Sequence, residues 1–317
     1  MVHRPAKAPS FGGADYFKKP PFKARNLRAV TRRILSCTGL CAPHLGAMTQ
    51  KPSPFPLLFL GHGSPMNVIT DNVWRQNWQK LGALLPRPRA ILCISAHWES
   101  KGTWVNGGEP PETIHDFYGF PQALFDIEYR TPADPELAAQ ITALFPQGVL
   151  REDAARGLDH GAWSVLQPMY PDADIPALQL SLDMGLSGAQ HFALGERLSP
   201  LREQGVLIIG SGDVVHNLQL YRQTMGTKPD WAVTFQQEVD QMVADRDFAP
   251  LADFRALGAA AEAAINSSEH YLPLLYTLGA ARADDQLLRF NNDVDGSLSM
   301  TSYLFAPDIT PYQLLAY

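Results

Sequence analysis

Four short apolar runs constrain the fold of this chain more than any other feature. Each run is four to six residues long, and they comprise residues 56–60, 90–95, 177–182 and 206–209. Near-continuous apolar runs of this length, separated by longer segments with helical periodicity, are typical of strands that helices cover on both faces of a sheet. The sequence therefore predicts an α/β fold around a central sheet.

The segments between these runs predict the helices. Apolar residues recur at helical spacing in residues 72–85, 132–145, 188–202, 231–254 and 271–280. Near the end of the chain, residues 298–305 alternate in character and predict an edge strand. Because residues 48–317 contain no internal repeat and no low-complexity linker, we expect them to form one domain.

The first 47 residues differ in composition from the rest of the chain. They hold nine of the 26 Lys and Arg residues but a single acidic residue, Asp15. This composition predicts a disordered N-terminal extension at 1–47, in front of a domain at 48–317. Two explanations stay open: a transit peptide, which is typically Arg-rich and acid-poor, or a start upstream of the natural first residue, Met48.

Charge and cysteine content argue against several classes of function. A net charge of −6 is atypical of nucleic-acid-binding domains, so we expect no nucleic-acid partner. No apolar run approaches the roughly 18 residues that span a bilayer, so we expect no membrane partner. A total of three cysteines is consistent with a cytoplasmic location. We expect a monomer or a small homo-oligomer.

Four of the nine histidines lie where a predicted strand ends or a loop meets a helix: His62, His97, His216 and His270. Ligands of α/β sheets bind beyond the carboxyl ends of the strands, where such side chains can converge. Neutral imidazole is the commonest protein ligand for divalent transition metals. Together the four predict a mononuclear metal site with oxygen or hydrolytic chemistry, although a structural role is the alternative for each one alone.

Other residues suit supporting roles at such a site. His160, in Asp-His-Gly, suits proton transfer at neutral pH. His115 and Tyr118 are candidates to line a pocket. Glu269 directly precedes His270, and the sequence leaves open which of the two is a ligand. The chain has no Gly-x-Ser-x-Gly elbow, so catalysis through a serine nucleophile is a poor fit.

Six motifs follow one another in order between residues 54 and 317. They are GHGSPM at 61–66, SAHW at 95–98, HDFYGFP at 115–121, GLDHGAW at 157–163, GSGDVVHNL at 210–218 and EHYLPL at 269–274. Together they resemble the class III extradiol ring-cleaving dioxygenases of the DOPA-dioxygenase type. Residues 1–47 have no counterpart in that family.

The resemblance implies a fold and an activity. With the strand pattern, it predicts a single three-layer αβα domain with a central mixed, mostly parallel sheet. It implies a non-haem enzyme that uses Fe(II) and O2 to open a catechol, such as DOPA, beside its two hydroxyls. The expected product is a ring-opened muconic semialdehyde, and Zn(II) is the metal expected in the purified protein.

The resemblance also implies roles for individual histidines. His62 and His97 match the metal-binding histidines of the family, and His216 and His270 match the other histidines grouped around that metal. His160 matches a histidine that binds substrate or transfers protons. The candidate catalytic residues are therefore His160 and His216.

The candidate substrate-binding residues are His115, Tyr118 and Trp163, within an aromatic wall that would stack on a flat ring. Plain core packing is the alternative for these aromatic residues. The broader superfamily uses two histidines and a glutamate, whereas all-nitrogen ligation favours zinc. Two other functions therefore stay open: a zinc-dependent hydrolase, and a metal-binding protein of the same fold without enzymatic activity.

Overall fold

The central sheet of the computed structural model contains eight strands in the order β4-β3-β5-β2-β6-β1-β10-β7. The structure describes residues 53–316, so the extension predicted at 1–47 lies outside the described residues. Four of the seven neighbouring pairs are parallel and three antiparallel, which confirms a mixed, mostly parallel sheet. The strands, with the separate β8–β9 hairpin, are β1 (Leu57–Gly61), β2 (Ala90–Ser100), β3 (Thr103–Val105), β4 (Leu150–Glu152), β5 (Ala177–Asp183), β6 (Val206–Gly212), β7 (Gln286–Phe290), β8 (Val294–Asp295), β9 (Leu298–Ser299) and β10 (Ser302–Ala306).

Helices connect the strands and cover the sheet. They are α1 (Val73–Leu84), α2 (Gln122–Phe125), α3 (Pro135–Ala143), α4 (His160–Met169), α5 (Gly188–Leu198), α6 (Leu218–Thr224), α7 (Asp230–Asp245), α8 (Phe248–Ala252), α9 (Ala259–Ala264) and α10 (Leu272–Ala280). Short 3-10 helices occupy Pro65–Val68, Ser199–Gln204, Phe254–Ala256 and Thr310–Leu315. No helix among residues 53–316 is long and apolar enough to cross a membrane.

Two apolar cores lie on opposite faces of the sheet, as the alternation of side chains along β1 shows. Leu57 and Phe59 belong to one core, with residues of α3, α5, α7 and α10. Leu58 and Leu60 belong to the other, with residues of α1 and α4. Because side chains alternate between the faces of a strand, β1 is buried on both sides. The predicted three-layer αβα arrangement is confirmed.

Several boundaries differ from the prediction. The predicted edge strand at 298–305 is wrong, because β10 lies between β1 and β7, and β7 forms the edge. The predicted helix at 231–254 is broken at Arg246, whose φ of 58° ends α7 in the left-handed region. Helix α4 was not predicted, since it contains both Gly161 and Pro168, which disfavour helix.

The parallel strands β1, β6 and β2 are neighbours and carry their carboxyl ends to the same edge of the sheet. His62 follows directly after β1, as predicted. His97 does not end its strand as predicted but lies inside β2, where the register against β5 shifts between Ile94 and Glu99. A bulge of this kind re-aims a side chain, and here His97 Nε2 comes within 3.4 Å of Nε2 of His62, the residue after β1.

Candidate metal centre

His62 is a buried imidazole whose protonation can be assigned from its neighbours. Its Nδ1 lies 3.0 Å from Ser211 Oγ, at the end of β6. The Ser211 hydroxyl donates to the carbonyl oxygen of Gly161 at 2.5 Å, so it can only accept from His62. The proton of His62 therefore sits on Nδ1, and the lone pair of Nε2 points into the site.

His97 faces the same point from β2. Its Nε2 lies 3.4 Å from His62 Nε2, and its Nδ1 lies 3.6 Å from Asp116 Oδ2. Close packing fixes this ring, because a Cβ at Gly161 would lie 2.8 Å from His97 Cδ2. Glycine is therefore required in the first turn of α4 for His97 to keep its position.

His270 completes a group of three. It lies just before α10, and its Nδ1 donates to Glu269 Oε1 at 3.0 Å, which leaves the lone pair of Nε2 free. The ring centroids of His270 lie 5.2 Å from His62 and 4.9 Å from His97. One ligand atom from each of these three histidines falls within 4.8 Å of the others. Glu269 acts on His270 rather than facing the centre, which favours the histidine as the ligand.

The three imidazoles fit a divalent transition metal. A nitrogen separation of 3.4 Å is long for a hydrogen bond, but it is close to the spacing of two tetrahedral ligands at about 2.1 Å from one metal. Burial first, and then the charges of neighbouring histidines, lowers the pKa of His62 and of His270 far below the ordinary histidine value. These two imidazoles are therefore held neutral, as metal binding requires.

His160 stands beside this group with a carboxylate partner. Its Nδ1 donates to Asp116 Oδ1 at 2.9 Å, and its ring centroid lies 3.8 Å from that of His97. Burial alone would raise the pKa of Asp116, but the hydrogen bonds and charges of His160, with His97, lower it to about 2. Asp116 is therefore ionised at neutral pH and directs the free Nε2 of His160 away from itself.

His216 lies in the same cluster but in a different position from the other histidines. Its ring stacks on that of His270 at 3.4 Å between centroids and 5° between planes. Burial, with the charge of His160, lowers the pKa of His216 to about 4. Its Nδ1 has no hydrogen-bond partner within residues 53–316, so the ring is available to the site.

An aromatic cluster flanks His160. Phe117 contacts the edge of His160, with centroids 5.5 Å apart, and also contacts His115 and Trp163. Trp163 is fully buried and donates to the Ile114 carbonyl, so it supports Phe117 from behind. His115 bonds the Ile127 carbonyl at 3.0 Å. Tyr118 is 92% exposed and points to solvent at the rim.

The sequence argument missed two supporting residues, Asp116 and Ser211, and it also missed the contact that Asp213 makes. The position of Asp213, three residues before His216, suggests that it orients that histidine. In the structure its Oδ1 instead accepts a hydrogen bond from the backbone nitrogen of Gly63 at 2.9 Å. Burial raises its pKa to about 8 against the backbone hydrogen bonds of Gly63 and His62. The sequence motifs contain both acids, Asp116 and Asp213, and acids near histidines commonly orient the imidazole rings. Their presence in the motifs was the sequence signal that could have identified these contacts.

The fold and the site together define an α/β protein with a histidine cluster that could hold a divalent metal, next to a histidine that is hydrogen-bonded to a carboxylate. The chain belongs to the family described as the catalytic LigB subunit of aromatic ring-opening dioxygenase, which matches residues 57–303. It is therefore a ring-opening dioxygenase, and this membership confirms the enzymatic interpretation of the sequence. The resemblance found from the six motifs is also confirmed.

Individual relatives agree with the family. The chain is 45% identical over 254 residues to the 4,5-DOPA dioxygenase extradiol of Escherichia coli K12, which covers 78% of this chain and 93% of that protein. It is 36% identical to the 4,5-DOPA dioxygenase extradiol of Beta vulgaris, over 78% of this chain and 95% of that one. A crystal structure of an uncharacterized Escherichia coli K12 protein matches with a TM-score of 0.68 and 38% identity, covering 79% of this chain and 99% of that chain.

Proposed function

We propose that this enzyme is an Fe(II)-dependent extradiol dioxygenase that opens a catechol such as DOPA with O2 to a muconic semialdehyde. One observation carries the proposal: His62 and His270, which are buried, and His97, which is half-buried, each offer a ligand nitrogen within 4.8 Å of the others, directly beside the Asp116–His160 pair. Two relatives named 4,5-DOPA dioxygenase extradiol support the choice of substrate. Zn(II) is the metal proposed for the protein as purified.

The proposed metal-binding residues are His62, His97 and His270, with His216 beside them. When bound there, Fe(II) supplies the redox chemistry by which O2 reacts with a catecholate, and Zn(II) does not. The surrounding residues keep the ligand nitrogens unprotonated and hold the imidazole rings in place. Ser211 and Glu269 do this by accepting the Nδ1 protons of His62 and His270.

Proton transfer falls to His160. A catechol must lose hydroxyl protons as it binds a metal, so a base is needed at the metal. The Nε2 of His160 is free because Asp116 holds the proton on Nδ1. Asp116 also stabilises the imidazolium that forms when His160 takes the substrate proton. His216, neutral and stacked on His270, is proposed as the second catalytic residue.

Substrate orientation falls to the aromatic cluster. Phe117 presents its ring next to His160, where it can pack against a flat catechol. His115 and Trp163 hold Phe117, and Tyr118 stands at the rim, where it is proposed to contact the outer part of the substrate. The cytoplasmic location and the monomeric or small homo-oligomeric state stay predictions.

The test is metal replacement. The purified enzyme is stripped of metal and reloaded anaerobically with Fe(II) or Zn(II), and then L-DOPA is added with air. Only the Fe(II) protein should consume O2, with a yellow semialdehyde appearing in step. Hydrolysis of esters by the Zn(II) protein, without oxygen uptake by the Fe(II) protein across a panel of catechols, would instead favour the hydrolase.

A further inference from the structure

Asp213 is a buried acid with an unused oxygen at the histidine cluster. It follows directly after β6, and 1% of the residue is exposed. Its Oδ1 accepts from the backbone nitrogen of Gly63, but Oδ2 has no hydrogen-bond partner within the described residues. This oxygen lies 3.7 Å from His62 Nε2. A buried carboxylate oxygen without a donor is costly and requires an explanation.

The nearest polar atom cannot satisfy this oxygen. Because the proton of His62 is on Nδ1, its Nε2 offers only a lone pair. The 3.7 Å between this nitrogen and Oδ2 is too long for a hydrogen bond, so neither a protonated nor an ionised Asp213 satisfies either atom. A cation between the two atoms would satisfy both at once. The separation of 3.7 Å is similar to the 3.4 Å between the Nε2 atoms of His62 and His97.

A second set of ligand atoms includes the same acid. Asp213, His216 and His270 each offer one ligand atom, and these atoms lie within 4.8 Å of one another. His270 belongs both to this set and to the set formed with His62 and His97. Asp213 therefore lies next to two of the proposed ligands, His62 and His270, whereas Glu269 is occupied by the Nδ1 proton of His270.

We propose that Asp213 Oδ2 is a ligand of the metal ion, so that the site combines imidazole nitrogens with one carboxylate. This inference rests on the metal site proposed above. A mixed nitrogen and oxygen donor set suits Fe(II) and Mn(II) better than imidazoles alone do. The carboxylate also removes one unit of the positive charge that the metal brings into a buried site.

Metal affinity and metal preference test the assignment without reference to turnover. The dissociation constants of Mn(II) and Zn(II) are measured by chelator competition for the wild-type enzyme and for Asp213→Asn. We expect Asp213→Asn to weaken Mn(II) binding on the order of 100-fold, since carboxylates matter more to Mn(II) than to Zn(II). The factor by which Zn(II) binding weakens should be at least about ten times smaller. The matched control is Glu269→Gln, which touches a ligand from outside and should weaken both metals by a similar factor, about 10–100-fold.

Melting temperatures with and without metal show whether a loss of affinity in Asp213→Asn comes from a lost ligand or from a change in folding. Without metal, Asp213→Asn should melt at the same or a higher temperature than the wild type, since it removes a buried acid whose Oδ2 has no hydrogen-bond partner among the described residues. With saturating Mn(II), its melting temperature should rise less than that of the wild type. Equal Mn(II) stabilisation of both proteins, or equal losses for both metals, would overturn the role of Asp213. Failure of the wild type to bind either metal would overturn the proposed function itself.

Discussion

Asp116 accepts two hydrogen bonds from the same residue, His160: one from its backbone nitrogen at 3.0 Å and one from Nδ1 at 2.9 Å. The two bonds fix both the position of the first residue of α4 and the tautomer of its ring. The other carboxylate oxygen lies 3.6 Å from Nδ1 of His97. One acid thus orients the proposed base and a proposed ligand together.

Substitution of either partner should separate proton transfer from metal binding. We expect His160→Gln to retain the metal and to lose roughly 10²–10⁴-fold in kcat. Asp116→Asn should lose a comparable factor, because an amide donor at this position would place the proton of His160 on Nε2. Metal analysis and oxygen uptake measure both effects, and loss of metal from His160→Gln would make His160 a ligand.

The aromatic wall should affect substrate binding more than chemistry. Phe117→Leu keeps apolar volume next to His160 but removes the aromatic face, so KM for the catechol should rise by roughly three- to tenfold with little change in kcat. Steady-state oxygen uptake gives both constants. The control is Phe192→Leu, whose ring pairs with Phe248 elsewhere in the structure. An unchanged KM for Phe117→Leu would remove the ring from the substrate site.

The strands that could be predicted from the sequence are those in which consecutive residues are apolar and buried. Strands β1, β2, β5 and β6 were recognisable because they are apolar on both faces. Strand β7 (Gln286–Phe290) was missed because its residues alternate between exposed and buried at the sheet edge. The order of the strands, and hence the interior place of β10, depends on pairing between distant segments that no local pattern records.

The histidines of the site were predictable, but their geometry was not. His62 follows its strand as expected, whereas the bulge that directs His97 depends on the register of β2 against β5. The pairing of Asp116 with His160 joins residues 44 positions apart. Local sequence patterns identified the histidines of the site. Which ring nitrogen of each histidine faces the proposed metal position depends on the packing of segments that are distant in the sequence.

The stability of the fold can be tested away from the site. Arg202 and Asp285 form a buried bidentate ion pair with distances of 2.7 and 2.8 Å. Arg202→Leu leaves Asp285 buried without its partner and should cost about 3–5 kcal/mol in the free energy of unfolding. Urea denaturation measures this cost. The exposed pair Arg87–Asp174 is the control, and Arg87→Ala should cost at most about 1 kcal/mol. Equal costs would contradict the account.

The response to acid should depend in part on His191. Its ring is fully buried beside Tyr276, and burial, opposed by Asp183, lowers its pKa to about 4. The unfolded chain, with a histidine pKa near about 6.5, binds a proton first, so stability falls as the pH drops from about 6.5 towards 4. His191→Gln should lose less stability over this window than the wild type. Parallel pH profiles in urea denaturation would contradict the buried neutral state.

The most direct test of the central claim follows the oxygen atoms. The Fe(II)-loaded enzyme is supplied with L-DOPA under ¹⁸O2, and the product is reduced at once with borohydride, before its aldehyde oxygen exchanges with water. Mass spectrometry then counts the label. If the enzyme is an extradiol dioxygenase, the trapped product carries two heavy oxygen atoms and shows cleavage beside the two hydroxyls. A product with one heavy atom or none, or with the bond between the hydroxyls cleaved, would contradict the claim.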